Sequence, residues 1–365
     1  MIFFIVFIVA IIYSISENFR FQFTNTVELK NRNVYFGAKI LCLIMFLLCA
    51  LRSVDVGIDT AHYFDSFNLG ASRFVEFGYW FFRGVSLYFD NSFQFFLALY
   101  AFASIVPIYI FLKRDSVNIC FSLLIYLSFS NYFYPETFNT IRATASIGSF
   151  VLAVSFYESK NYQKTILFLI LSVLFHNSVI VALIIGVLCN IIKKLPEKGT
   201  YISLIISLLF GLTFQTGYSS YASMLSLWVE EFTGDMADYY SQYVISFEET
   251  DFNIIGTLAN MLPFTLFAIF TYDKHNAKHN YYKMFVIGTI LSNVFISIAL
   301  IYRITMFFTI LLIVILPNTI IRSNGTKRRI LFSLIALMLL WFIYKLFGTS
   351  SDRMAGIIPY SFFFE

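Results

Sequence analysis

The stretch Tyr35–Tyr63 reads YFGAKILCLIMFLLCALRSVDVGIDTAHY and changes character near its middle. Tyr35–Leu51 is apolar except for one lysine, whereas Leu51–Tyr63 brings in an arginine, two aspartates and a histidine. A helix needs about 20 apolar residues to cross about 30 Å of hydrocarbon. We therefore interpret Tyr35–Leu51 as a short membrane span and Leu51–Tyr63 as the polar segment where the chain leaves the membrane.

The same alternation of apolar runs and short polar breaks continues through the chain. Of its 365 residues, 59% are hydrophobic and only 13% are charged, which is unlike a soluble domain. Runs such as Ile330–Trp341 do not alternate as the strands of a membrane barrel would. The sequence predicts an all-α polytopic integral membrane protein, a single domain over 1–365, with about 10–12 transmembrane helices.

Several classes of protein are disfavoured by what the sequence lacks. It has no phosphate-binding loop, no dinucleotide-binding glycine pattern and no nucleic-acid module, so neither bound nucleotide nor nucleic acid is expected as a partner. No cleavable signal peptide is expected, because the first run is apolar from Met1 and has no basic segment before it. The cysteines lie in apolar runs without metal-ligand spacing, so no metal site is predicted.

Lysine and arginine collect in alternate loops, which gives the chain a predicted orientation. By the positive-inside rule the loops rich in these residues face the cytoplasm. The N-terminus, residues 52–91 and the large acidic loop 217–251 then face outward, since that loop has no lysine or arginine. Within 52–91, Phe77–Phe89 is broken by Arg83 and is predicted to lie along the membrane interface. The basic set comprises Arg20, Lys30, Arg32, Lys39, Lys113, Arg114, Lys160, Lys164, Lys193, Lys194, Lys198, Lys274, Lys278, Lys283, Arg322, Lys327, Arg328 and Arg329.

The segment Thr165–Ile192 has lysines before and after it, which places both of its ends on the same side. A helical hairpin that turns at His176-Asn177-Ser178 satisfies this constraint. Each arm is short for a full crossing, so a thin or partly re-entrant hairpin is predicted.

Two arginines lie in otherwise apolar helices. Arg142 is followed by Ser146 and Ser149 on one helix face, which is predicted to face protein rather than lipid. Arg303 begins the next-to-last predicted helix, Arg303–Ile321, which a tight connection at Tyr302-Arg303 joins to the helix before it. Each could be an interface anchor whose charge reaches water. Alternatively both could join Arg52 in a site for an anionic group, because guanidinium groups donate paired hydrogen bonds to phosphate. Their common outward side favours the shared site.

Carboxylates and a histidine supply candidates for acid–base chemistry. Asp59 is either the cap of a helix that begins near Thr60 or a ligand or base. Glu76, before Gly78-Tyr79, is either a helix-entry carboxylate or a site residue. His176 is either a hydrogen-bonded structural residue or, at a turn within the membrane region, a general base.

Six short motifs resemble those of the EpsG/Wzy-like polysaccharide polymerases, in the same order along the chain. They are RSVDVGIDTAHYFDSF from Arg52, EFGYW from Glu76, NTIRATASIGS around Arg142, LFHNSVIVALI around His176, YRITMFFTILLIVILP around Arg303 and the terminal IIPYSFFF. The family's frequent Gly-Thr-Asp is Gly-Ile-Asp here, and an alanine stands where glutamine is common after Arg142; neither change removes an ionisable group.

This resemblance implies an inner-membrane glycosyltransferase of the GT-C type with an outward-facing cavity and without a cofactor. Its implied substrate is an undecaprenyl-diphosphate-linked oligosaccharide, and its implied partners are membrane lipid and the chain-length regulator and flippase of the same pathway. Arg142, Arg303 and Arg52 would bind the diphosphate, and Tyr63, Glu76 and Tyr79 the sugar or acceptor. His176 and Asp59 compete as base, with His176 favoured and Asp59 as its organiser.

Two other functions, a ligase and a flippase or transporter, remain compatible with the residues, whereas a structural scaffold is disfavoured. A ligase that joins glycan to a lipid core would share the arginines and the histidine, and only its acceptor would distinguish it. A flippase or transporter would more often have internal symmetry and charges at mid-depth. A structural scaffold would not need Arg142 and Arg303 within helices.

Overall fold

In a computed structural model, residues 2–23, 34–70, 76–129, 132–216, 254–296, 299–347 and 356–364 are described. Within these ranges the chain is α-helical apart from turns, a 3-10 helix at Asn276–Lys278 and one isolated β-bridge. The helices are α1 (Ile2–Phe23), α2 (Val34–Ala50), α3 (Thr60–Leu69), α4 (Phe77–Tyr88), α5 (Phe93–Asp115), α6 (Ile119–Ser128), α7 (Glu136–Asn139), α8 (Ile141–Glu158), α9 (Tyr162–Phe175), α10 (Val179–Ile191), α11 (Glu197–Thr216), α12 (Ile254–Phe270), α13 (Asn280–Val294), α14 (Ala299–Thr309), α15 (Leu312–Arg322) and α16 (Gly325–Phe347).

The helices confirm the prediction of an all-α polytopic membrane protein. Among the described residues, three segments are long and apolar enough to cross a membrane, namely Phe93–Asp115, Tyr302–Arg322 and Gly325–Phe347. Further apolar helices are shorter than a full crossing and include both arms of the predicted hairpin. The total of 10–12 crossings stays a prediction, and the acidic loop 217–251 lies outside the described residues.

Two predicted helix boundaries are wrong. No break occurs at Tyr302-Arg303: α13 ends at Val294, and α14 begins at Ala299 and runs through Arg303. Arg303 does not mark a helix start, because arginine is a good helix former and need not end an apolar helix. The predicted helix Arg303–Ile321 is instead divided between α14 and α15 by a turn at residues 310–311.

The chain divides into two compact units, residues 1–183 with 310–365, and residues 184–309. In the first unit α8 packs between α5 and α9 and is buried along nearly its whole length. Its close approach to α5 depends on Gly148, where a β-carbon would lie 3.0 Å from the carbonyl oxygen of Ser104. The prediction that the polar stripe of α8 faces protein rather than lipid is confirmed, since Ser146 and Ser149 are buried.

In the second unit α13 packs against α11, α12 and α14. Its polar stripe is also turned inward, because Thr289 and Asn293 are buried. The Asn293 side chain donates hydrogen bonds to the hydroxyl oxygens of Ser207, at 3.1 Å, and Thr265, at 2.9 Å. These bonds link three helices through polar groups that would be costly to leave unpaired in lipid.

Candidate active site

The histidine hairpin has its turn where the sequence predicts it. Helix α9 ends at Phe175 and α10 begins at Val179, so His176, Asn177 and Ser178 form the connection. His176 has an extended backbone and its N–H donates to the carbonyl oxygen of Ser172 at 3.1 Å. The imidazole therefore projects from the end of α9 with its backbone tied to the last turn.

A pair of serines fixes α8 against α9 below this turn. The Ser146 hydroxyl donates to the Ser172 carbonyl oxygen at 2.8 Å, and the Ser172 hydroxyl donates to the Ser146 carbonyl oxygen, also at 2.8 Å. Arg142 lies one turn before Ser146, and His176 lies one turn after Ser172. Because the two helices run in opposite directions here, the serine pair places Arg142 and His176 at the same end of the helix pair.

Helix α4 reaches the same end through a glycine. A β-carbon at Gly78 would lie 2.8 Å from the carbonyl oxygen of Leu174 and 2.7 Å from Cδ1 of Phe175. These separations are shorter than a side chain allows, so glycine is needed for α4 to approach α9 this closely. Glu76, two residues before Gly78, is thereby brought to the end of α9.

The carboxylate of Glu76 joins the two cationic groups. Its Oε1 lies 2.9 Å from Nδ1 of His176, and its Oε2 accepts a hydrogen bond from Nη1 of Arg142. The three side chains are almost enclosed, with exposed fractions of 6% for Glu76, 11% for Arg142 and 15% for His176. We call Glu76, Arg142 and His176 the charged cluster.

The electrostatics of the cluster keep Glu76 ionised. Burial by itself would raise the pKa of the Glu76 carboxyl, but the hydrogen bond with His176 and the charge of Arg142 outweigh burial and lower this pKa to about 2. An ionised carboxylate can only accept, so Nδ1 of a neutral His176 carries the proton. Nε2, which makes no hydrogen bond with the described residues, then has its lone pair available for a proton.

Aromatic residues form the wall behind the charged cluster. The Tyr63 side chain hydrogen bonds with Arg142, and the hydroxyl of Tyr100 lies within electrostatic range of Arg142 and Glu76. Tyr79 is fully buried and its ring packs edge-on against Phe96, with centroids 5.5 Å apart. The structure therefore places Tyr63 in contact with the cluster and Tyr79 in the wall rather than on a surface open to a sugar.

Arg52 is held by the backbone beside this wall. Its side chain is fully buried and donates to the carbonyl oxygens of Thr137, at 3.3 Å, and Phe138, at 3.0 Å. Burial lowers the pKa of the Arg52 guanidinium. These contacts give Arg52 a positioning role, because its donors are directed at carbonyl oxygens of the same unit.

The loop after Arg52 places Asp59 at the start of α3. Gly57 has a φ of +91°, which glycine adopts without strain, and the next N–H, of Ile58, donates to Oδ1 of Asn139 at 2.7 Å. Asp59 occupies the N-cap position before Thr60 as one interpretation predicted, but its side chain makes no capping hydrogen bond. The carboxylate that contacts His176 is that of Glu76, so Glu76 rather than Asp59 occupies the organising position.

Arg303 belongs to the second unit, where it lies half-buried on α14. Its predicted meeting with Arg142 and Arg52 stays a prediction. Among the residues that the structure describes, no three histidine, cysteine, aspartate or glutamate side chains come together as ligands for a metal ion.

Glu76 has a more central place in the site than its position in the sequence predicts. The signal was present, because the motif Glu76-Phe77-Gly78-Tyr79 combines an acid with a glycine two residues later. That glycine indicates a close approach of two backbones, and the acid next to it must lie at the contact. The motif alone does not reveal which helix is approached.

Fold and site together define a helical membrane protein with a buried, charged cluster at one end of its first unit. The model of the EpsG family matches residues 38–362, nearly the whole chain, and the protein belongs to this Wzy-like polymerase family. No curated protein and no solved structure matches the chain. Membership in this family suggests a polysaccharide polymerase-like function.

Proposed function

We propose that the protein is a Wzy-type polysaccharide polymerase that acts on undecaprenyl-diphosphate-linked repeat units. It transfers the glycan from one carrier to the non-reducing end of a second carrier-linked unit. The observation that carries this proposal is the charged cluster, in which Glu76 contacts both Arg142 and His176, in a chain of the EpsG family. The cluster unites a proton acceptor with a cation for a diphosphate.

The transfer exchanges one bond for another. The acceptor hydroxyl oxygen bonds to the anomeric carbon of the donor glycan, and the bond between that carbon and the diphosphate oxygen breaks. The carrier diphosphate leaves with the electron pair, and Nε2 of His176 takes the hydroxyl proton and later releases it to water. A positioned base of this kind typically contributes about 10²–10⁴-fold to the rate.

Each residue of the cluster has a separate task in this proposal. Glu76 holds His176 in the tautomer with its proton on Nδ1, as a carboxylate does for histidine in other acid–base sites. Arg142 binds the diphosphate and stabilises its growing charge. Arg52 and Asp59 position the loop beside the cluster, and Tyr63 orients Arg142.

Charge distribution in the first unit supports a site on the outer face. The cluster lies at the end of α8 that begins with Ile141, whereas Lys160 and Lys164 follow or begin helices at the opposite end. Arg114 is at that end too, since its Nε donates to the Ser155 hydroxyl at 2.8 Å. The positive-inside rule assigns the basic end to the cytoplasm, which directs the cluster toward the periplasm of a bacterial inner membrane. A GT-C-type cavity open on that side is part of the proposal, as are a flippase that delivers the substrate and a chain-length regulator.

The test is polymerisation by the purified full-length protein from lipid-linked repeat units, between pH 5 and 9 and with EDTA present. We expect His176→Ala to lose about 10²-fold or more of the rate, while His275→Ala, at an exposed histidine of the second unit, keeps it. If His176→Ala keeps the wild-type rate while Asp59→Asn abolishes it, Asp59 is the base. Loss of wild-type activity in EDTA would show that a metal ion is required.

A further inference from the structure

Helix α4 has two faces with different surroundings. Its inner face is buried: Tyr79 packs against Phe96, and Phe82 packs against Tyr100 and Phe175. Its outer face is exposed although it is apolar. There the described residues line a shallow, open depression of about 490 Å³, formed by Trp80, Phe81, Gly84, Val85, Tyr88 and Phe89.

The shape of this outer face comes from one glycine. A β-carbon at Gly84 would have no atom within 4 Å, so the position is open. Trp80, Phe81 and Tyr88 surround it at helical spacings of three and four residues, on the same side of the helix, and Val85 follows it directly. A missing side chain between aromatic walls makes a groove, which we call the α4 groove.

The α4 groove starts beside the charged cluster. Glu76 immediately precedes α4, and Tyr88 is its last residue, about 18 Å further along at 1.5 Å per residue. Phe77, between the cluster and the groove, is also exposed, with 60% of its surface accessible. An apolar track therefore continues from the buried charges to the end of the helix.

The other two helices that carry the cluster do not offer such a track. Helix α8 is buried along its length except at Arg142 and at Tyr157 and Glu158, which lie at the end away from the cluster. The strongly exposed apolar residues of α9 are Tyr162, Ile166, Leu167 and Ile170, whereas none of residues 171–175, next to His176, is exposed. Of these three helices, only α4 leads an exposed apolar surface away from the charges.

We infer that the α4 groove binds the first isoprene units of the polyprenyl chain whose diphosphate is held at the charged cluster. The inference rests on the proposed function for the diphosphate, and it adds the site of the lipid tail. Methyl-branched isoprene units fit a groove with aromatic walls, and the burial of their apolar surface there is favourable. A phospholipid has no reason to enter in register with the cluster, because its two chains diverge from a glycerol rather than from a diphosphate.

The test uses a polyprenyl diphosphate with a photoreactive group in its first isoprene units, added to the full-length protein in detergent. We expect cross-links within Phe77–Phe89, lost on competition with unlabelled long-chain polyprenyl diphosphate and kept with excess phosphatidylglycerol. Equal competition by phosphatidylglycerol, or cross-links that map elsewhere, would overturn the inference. A cross-linked dimer through this segment would assign the groove to a second copy of the chain and overturn it as well.

A variant series separates the groove from the rest of the protein. Gly84→Leu adds a side chain to the groove at a position where a β-carbon has no atom within 4 Å, so the helix should fold normally. Ala336→Leu, on the exposed face of α16, is the matched control. We expect Gly84→Leu to raise KM about tenfold for a long-chain substrate, a loss equal to the burial of about two methylene groups, and to leave KM unchanged for a short-prenyl substrate.

The two proposals fail in different ways. Cross-linking to the groove in a protein that polymerises no repeat unit would leave the groove standing and remove the proposed function. Full polymerisation with an unchanged KM in Gly84→Leu and no cross-link at Phe77–Phe89 would do the reverse.

Discussion

At the scale of single residues, Glu76 determines which roles His176 and Arg142 can have in the site. A carboxylate held at a pKa of about 2 is a poor base, since it stays ionised through the whole working range. The role of this carboxylate is to fix the proton on Nδ1 of His176 and the position of Arg142. An acid in this position turns a histidine at a helix end into a directed proton acceptor.

Substitution of the arginines by lysine tests whether the site needs the planar, paired donors of a guanidinium group or only its positive charge. We expect Arg142→Lys and Arg303→Lys each to lower the polymerisation rate by about 10²–10³-fold, because lysine cannot donate the paired, coplanar hydrogen bonds that suit phosphate. The accumulated protein, measured by blotting, should be unchanged. An interface anchor would tolerate lysine, so near-normal polymer from both variants would restore the anchor interpretation.

The lowered pKa of Glu76 predicts how stability depends on pH. Its folded pKa, about 2, lies below the ordinary value of 4.5, so the ionised carboxylate stabilises the fold above pH 4.5 and this contribution is lost as the pH falls toward 2. The Tm of Glu76→Gln should therefore be lower than wild type at pH 7 and should approach it between pH 4.5 and 2. Glu197→Gln, at an exposed residue, is the control. A constant difference across this range would contradict the coupling.

At the scale of elements, the site depends on how closely α4 packs on α9. Gly78→Ala inserts a methyl group against the Leu174 carbonyl, and such overpacking costs about 1–3 kcal/mol. Gly84→Ala makes the same change in the same helix with open space around it, and should raise stability by about 0.4–1 kcal/mol. Thermal unfolding in detergent would compare the two; equal Tm values would show that the approach is not tight.

The C-terminal segment is a second element on which the site depends. Arg52 forms a β-bridge with Phe362, and the N–H of Phe363 donates to the carbonyl oxygen of Leu51 at 3.0 Å. The hydroxyl of Tyr360 donates to the Leu48 carbonyl oxygen at 2.9 Å. The last residues therefore hold the loop that leads to Asp59.

Removing one backbone N–H donor tests whether the C-terminal segment holds the loop that leads to Asp59. Phe363→Pro deletes the N–H that bonds to Leu51, and we expect lower polymer yield with normal membrane insertion. Phe364→Pro makes the same change at the neighbouring exposed residue, whose N–H is not part of the bridge, and should behave as wild type. Equal yields from the two variants would mean that the bridge does not hold the loop in its working position.

Individual helices and turns are easier to predict from the sequence than the contacts between them. The lysines around Thr165–Ile192 gave the hairpin and its turn, and Gly57 with Asp59 gave the start of α3, because these signals are local. The contacts of Glu76 cross 66 residues to Arg142 and 100 to His176. No local pattern encodes such pairings: Gly78 indicates a close approach but not the helix that is approached, and the two serines that fix α8 against α9 look ordinary in the sequence.

At the scale of the whole molecule, the charge pattern is the main evidence for orientation. The loop 217–251 contains no lysine or arginine, whereas the 3-10 turn around Asn276–Lys278 lies among lysines. Within the first unit the charged cluster and the basic ends of α8 and α9 lie at opposite ends. One membrane orientation satisfies both patterns.

Labelling single cysteines with a membrane-impermeant maleimide, in a variant without the native cysteines, tests that orientation directly. In cells stripped of their outer membrane we expect Ser220→Cys, in the acidic loop, and His62→Cys, on the exposed face of α3 beside the site, to react. His275→Cys and Lys160→Cys, at exposed positions among the lysines, should react only after permeabilisation. The pair His62 and Lys160 reports the first unit, and the pair Ser220 and His275 reports the second. Reaction of His275→Cys and Lys160→Cys in intact cells would place the charged cluster in the cytoplasm, where a carrier-linked glycan destined for the periplasm would no longer be its substrate.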